Sequence, residues 1–66
     1  MSMSAFDRRM TKWATGPTGV GQPWGLYDKG RGVFVAYGTY RQMSKAWHAI
    51  VVDCVDPATV ISGLAS

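Results

Sequence analysis

A chain of 66 residues with a formal charge of +3 has room for one small domain, and a chain that short buries only about 60% of its unfolded surface. Its single cysteine, Cys54, rules out an intrachain disulfide and a cysteine-based zinc cluster, and one histidine with four carboxylates argues against an all-protein metal site, so no cofactor is expected. No apolar run approaches the ~20 residues of a membrane span.

The opening MSMSAFDRRM lacks the apolar core of a signal peptide, and the lone reduced thiol fits the cytosol, so the expected location is cytoplasmic. Residues 1–7 are small and polar and are expected to be disordered, with Met1 and Met3 both candidate starts. In Arg8–Thr15, Met10, Lys12 and Ala14 alternate with Thr11, Trp13 and Thr15, which predicts an edge strand. Gly16–Pro23, GPTGVGQP, predicts a loop. Its glycines do not make a phosphate loop. Gly21 is followed by Gln22 and Pro23 where Lys and Ser or Thr are required, and Pro23-Trp24 does not open a helix.

Trp24–Asp28 and Gly32–Tyr37 predict a hairpin around the turn Asp28-Lys29-Gly30-Arg31-Gly32. Simple alternation sets Val33, Val35 and Tyr37 on one face and Phe34 and Ala36 on the other. Both faces are apolar, so each needs a cover.

The strongest element is a helix from Tyr40 to about Val55. Tyr40, Met43, Trp47, Ile50 and Cys54 are spaced 3-4-3-4 along one face. Thr39 and Gln42 form a capping box, and Pro57 bars continuation. Cys54 is thereby expected to be an inert buried thiol. Asp56 and Pro57 then open a short helix reaching Ile61 or Ser62 and stopping at Gly63. The expected fold is α+β: a small antiparallel sheet of two or three strands on one main helix, with a short C-terminal helix, as a single domain over residues 1–66.

No catalytic constellation emerges. His48 and Cys54 are six apart on one helix and point in different directions. Asp56 is committed to a cap, and Asp7 and Asp28 lie far apart in the chain. The chain therefore reads as a non-enzymatic interaction protein. Phe34, Val52, Val55, Val60, Ile61 and Leu64 exceed what one helix over one hairpin can cover, which predicts a protein partner and a homo-oligomer, most simply a dimer. The alternative is a small DNA- or RNA-binding module. Arg41, Lys45 and His48 form a helix stripe, Lys29 and Arg31 crown the turn, Lys12 follows Arg8 and Arg9, and Trp13 or Tyr27 would stack. The bland counterpart of this set is a solvated helix face and a charged turn.

The stretch WGLYDKGRGVFVAYGTYRQMSKAW, Trp24–Trp47, joins two strands through a basic turn to a helix opening on Gly-Thr-Tyr. It resembles part of the integrase arm-binding and AP2-type DNA-binding domains. That resemblance implies a three-stranded sheet entering a major groove, with Lys12, Lys29 and Arg31 as the available contacts. The chain departs from the pattern by carrying Val33, Phe34, Val35 and Tyr37 where groove-reading polar side chains belong. In size and in Gly, Ala, Trp and Arg usage the chain is also similar to small accessory proteins of actinobacterial phages, which implies binding to a host protein in the host cytoplasm.

Overall fold

The structure, a computed structural model, describes residues 4–19, 21 and 23–65. The expected disorder of Met1–Met3 lies outside the described residues.

The chain begins with a helix, α1 (Ala5–Lys12), where a frayed arm and an edge strand were expected. Ser4 caps it: its Oγ accepts the Asp7 amide at 3.1 Å and its carbonyl accepts the Arg8 amide at 3.0 Å. Asp7 in the first turn and Arg9 and Lys12 in the last complement the helix dipole. The Arg9 guanidinium donates through Nε to the Val51 carbonyl at 2.9 Å. The same letters carry two periods. Alternation is visible at Met10, Lys12 and Ala14, but Phe6, Met10 and Trp13 also stand at helical spacing, and the capped helix prevails.

The strand expected near here exists, shifted. β1 (Trp13–Pro17) takes Gly16 and Pro17 from the predicted loop. It pairs antiparallel with β2 (Trp24–Asp28), from Trp13 opposite Asp28 to Pro17 opposite Trp24. β2 pairs in turn with β3 (Val33–Gly38), giving a three-stranded antiparallel sheet in the order β1-β2-β3. Pro17 is tolerated because β1 is an edge strand.

The hairpin turn is held by Asp28. Its Oδ1 accepts the amides of Gly30 at 2.9 Å and Arg31 at 3.3 Å, and its carbonyl accepts the Gly32 amide at 2.8 Å. Gly32 takes φ +73°, where a side chain would be strained.

β3 does not alternate as expected. Leu26 faces Ala36 while Tyr27 faces Phe34, which leaves Val35 as the extra residue of a β-bulge. Phe34 and Tyr37, assigned by alternation to opposite faces, therefore share one, and their rings touch. Val35 and Ala36 both turn to the core.

α2 (Tyr40–Val51) opens with the expected capping box. The Gln42 amide donates to Thr39 Oγ1 at 3.1 Å and the Thr39 amide to Gln42 Oε1 at 2.9 Å. The helix lays Met43, Ala46, Ile50 and Val51 over Leu26 and Trp13, and these six residues are the core. Trp47 Nε1 locks the layers by donating to the Trp13 carbonyl at 2.9 Å. Tyr40, expected on the buried face, is exposed, with its ring edge-on to Trp24 at 5.2 Å.

α2 stops four residues before the expected end. The amides of Val52 and Asp53 both close on the His48 carbonyl, and the Val55 amide closes on Ala49 at 2.9 Å. Cys54 lies inside this turn at φ +60°. It is exposed rather than buried beside Trp47 and Ile50.

α3 (Pro57–Ala65) starts as expected, with the Ala58 amide donating to Asp56 Oδ1 at 3.1 Å. It runs through Gly63 instead of stopping there. One glycine costs a helix only about 1 kcal/mol, and Leu64 beyond it packs on the core together with Val60 and Ile61. Both α1 and α3 pack against α2, so the three helices lie on one side of the sheet. Among the described residues, no helix supplies the expected cover for the second face.

Candidate functional site

The uncovered side of the sheet carries Ala14 and Gly16 from β1, Gly25 and Tyr27 from β2, and Phe34 and Tyr37 from β3, as the register dictates. The Tyr27 and Phe34 rings meet edge to face, with centroids 5.0 Å apart. Phe34 and Tyr37 follow at 5.9 Å and 36°. The Phe34 ring lies directly over Gly25. A Cβ built there would fall 2.7 Å from Phe34 Cε1 and 2.9 Å from Thr18 Cγ2, inside contact distance. The glycine is thus a seat for the ring. Tyr37, 60% exposed, ends the strip.

On the helix side of the sheet, α1 meets the hairpin turn. The Lys29 amide donates to the Lys12 carbonyl at 2.8 Å. Lys12, Lys29, Arg8, Thr11 and Gly30 line an open cleft of about 330 Å³ there. The Lys12 ammonium lies 5.4 Å from the centroid of the Trp13 ring.

The six basic or titratable residues of the nucleic-acid reading do not form one patch. Lys12 and Lys29 share the cleft. Arg31, with its side chain 77% exposed, leans back to Asp28 Oδ2 at 3.7 Å. Arg41 and Lys45 stand on the outer side of α2, and Lys45 borders a groove between α2 and α3. His48 Nδ1 lies 3.4 Å from Asp53 Oδ2. Trp13, a stacking candidate, belongs to the core at 5% exposure.

The six apolar residues assigned to a partner also divide. Val60, Ile61 and Leu64 pack within the chain. Val52 and Val55 remain 43% and 38% exposed in the turn after α2. Phe34 is half-buried on the uncovered face. Tyr37 and Gly25 were not singled out from the sequence, because the face they share exists only once the bulge at Val35 is known.

A second cleft, of about 300 Å³ on the helix side, brings Asp28 and Asp56 together with Lys12 and Arg31. Both carboxylates already serve structure there. Asp28, 2% exposed, holds the turn, and Asp56 caps α3. Among the described residues no three His, Cys, Asp or Glu side chains gather as metal ligands, and no helix is long and apolar enough to cross a membrane.

Fold and surface together define a small α+β domain: a three-stranded antiparallel sheet, helices on one face and a bare aromatic strip on the other. No protein-family model matches the chain, and no curated protein or solved structure matches it.

Proposed function

We propose that the protein is a non-enzymatic interaction protein that meets a macromolecular partner through the uncovered face of its sheet. The observation that carries this reading is the ring strip Tyr27–Phe34–Tyr37, which no helix among the described residues covers and whose last member is mostly in solvent. Tyrosine is favoured at contact hot spots because it offers a large, stiff surface at low entropic cost. The cytoplasmic placement that goes with this reading is supported by the single unpaired thiol, Cys54.

The test is capture from the cells that make the protein, run in parallel with the wild type, Tyr37→Lys and a control on the opposite side, Lys45→Glu. A protein or nucleic acid retained by the wild type and the control but lost from Tyr37→Lys is the expected result. Identical profiles for all three would remove the sheet face from consideration.

Self-association is a second reading, supported by apolar residues elsewhere. Phe6 and Met10 on α1 are exposed, as are Val52 and Val55 after α2. Sedimentation velocity at micromolar concentration checks it: a dimer that Val55→Asp dissociates would support this reading, and a wild-type monomer would end it.

A further inference from the structure

We infer that the protein pairs with a second copy of itself along the outer edge of β3, with α3 meeting its counterpart above that edge, so that two three-stranded sheets join into one. The inference rests on the self-association reading and assigns it a surface different from the exposed side chains of α1 and the turn after α2.

The two edges of the sheet are not alike. On β1, Pro17 has no amide to offer, and the Trp13 carbonyl is taken by Trp47 Nε1 at 2.9 Å. β3 forms the other edge. Among the described residues, no hydrogen bond outside the pairing with β2 reaches its backbone. A strand edge left in this state is a template for a further strand, and natural edges are usually blunted by charge, proline or a bulge. β3 carries neither charge nor proline. Its bulge at Val35 leaves one residue more, not fewer, without a partner on β2.

α3 runs beside this edge. Pro57 and Ala58 share a cleft with Arg31 and Val35, and Ile61 and Leu64 share a groove with Val35, Ala36 and Tyr37. Val60, Ile61 and Leu64 face inward. Ala58 and Ser62, one helical turn apart, are exposed. Paired strands lie only about 4.8 Å apart, so pairing β3 with its copy brings two α3 helices close together, and small side chains let helices approach closely.

Charge selects a second copy over an unrelated strand. The chain holds seven Lys or Arg and four Asp or Glu residues, and none falls in β3 or α3. Arg31, the charge nearest the start of β3, leans back to Asp28 Oδ2 at 3.7 Å. A two-fold axis sets each element against its own copy, so a charge near the axis would meet a like charge, which is destabilising. An unrelated partner imposes no such rule, because it can supply the opposite charge. The edge that is uncharged in both the sheet and the helix layer therefore suits self-pairing. The pairing also sets Phe34 and Tyr37 of both copies on one continuous sheet face.

The experiment is sedimentation velocity at micromolar concentration on the wild type, Ser62→Lys, Ser62→Glu and an equal mixture of the two variants. The wild type is expected to be a dimer. Each single variant sets like charges across the axis and should weaken the dimer by at least about ten-fold. The mixture, which pairs Lys with Glu, should regain it. Ser62 is exposed, and lysine and glutamate favour a helix more than serine does, so the variants keep the fold, and circular dichroism verifies this. Amide exchange gives a second readout: β3 amides should exchange more slowly in the wild-type dimer than in monomeric Ser62→Lys, while β1 amides stay alike.

A wild-type monomer would overturn the inference together with self-association. A dimer that Val55→Asp dissociates, and that both Ser62 variants leave intact, would keep self-association and overturn the β3 edge. Dissociation by both single variants without recovery in the mixture, or β3 amides equally fast in dimer and monomer, would overturn it as well.

Discussion

Replacing Gly25 by alanine should drive the Phe34 ring off the sheet, and the size of the effect can be worked from the structure. The added Cβ would sit 2.7 Å from Phe34 Cε1 and 2.9 Å from Thr18 Cγ2, and nearer still to Phe34 Cδ1. Carbon atoms pack best at about 3.5–4.0 Å, so the ring must retreat by roughly 1 Å. It is held from both sides, by Tyr27 and by Tyr37, so the retreat breaks ring contacts as well. Overpacking of this kind costs about 1–3 kcal/mol. Alanine returns about 0.5–1 kcal/mol because glycine is a poor strand residue. A net loss of about 1–2 kcal/mol should lower the melting temperature by roughly 5–15 °C in a domain of this size. Urea unfolding, followed by tryptophan fluorescence and circular dichroism, measures the loss. The decisive comparison repeats the substitution in a Phe34→Ala, Thr18→Ser background, which removes both groups the added Cβ would meet. With the ring and the Thr18 methyl gone, Gly25→Ala should be neutral or stabilising by up to about 1 kcal/mol. The same loss in both backgrounds would refute the picture of Gly25 as the seat of the ring, and with it the geometry of the aromatic strip.

Other substitutions test the parts of the fold that hold this face in place. Cys54 occupies the left-handed region at φ +60°, so Cys54→Gly should stabilise by about 0.5–1 kcal/mol, while the β-branched Cys54→Val should destabilise by about 1 kcal/mol or more; denaturant midpoints report both. Gly63 lies within α3 with nothing within 4 Å of a built Cβ, and Gly63→Ala should raise stability by about 0.5–1 kcal/mol. Thr39→Ala removes one arm of the α2 capping box and should cost about 1 kcal/mol; an unchanged midpoint would show that the cap adds nothing to α2. Arg9→Met keeps most of the side chain's bulk but removes the guanidinium that meets the Val51 carbonyl at 2.9 Å. A loss of about 1–2 kcal/mol, with faster amide exchange in α1, is expected, because that bond ties α1 to the end of α2.

What the sequence determined by itself was whatever rests on neighbours a few residues apart. The Thr39–Gln42 capping box, the start of α2 at Tyr40, the hairpin about Asp28–Gly32 and the Asp56-Pro57 start of α3 are local hydrogen-bonding and dihedral facts, and all stand as read. The α+β class follows from them. The rest depended on partners distant in the chain. Residues 5–12 fit either period, and the helix is secured in part by Arg9 reaching Val51, 42 positions away. The end of α2 was read from Pro57, but the chain turns at Cys54 first, which puts the thiol in solvent. Val60, Ile61 and Leu64 looked like surplus grease because the room for them, beside Val35 and Ala36, appears only when α3 folds back. The candidate surface was the least legible part. A one-residue bulge moves every later side chain of a strand to the opposite face, and no local letter pattern announces it at Val35. Only the pairing of β2 with β3 decides that Phe34 and Tyr37 stand together, and only the docking of α1 beside the hairpin brings Lys12 to Lys29.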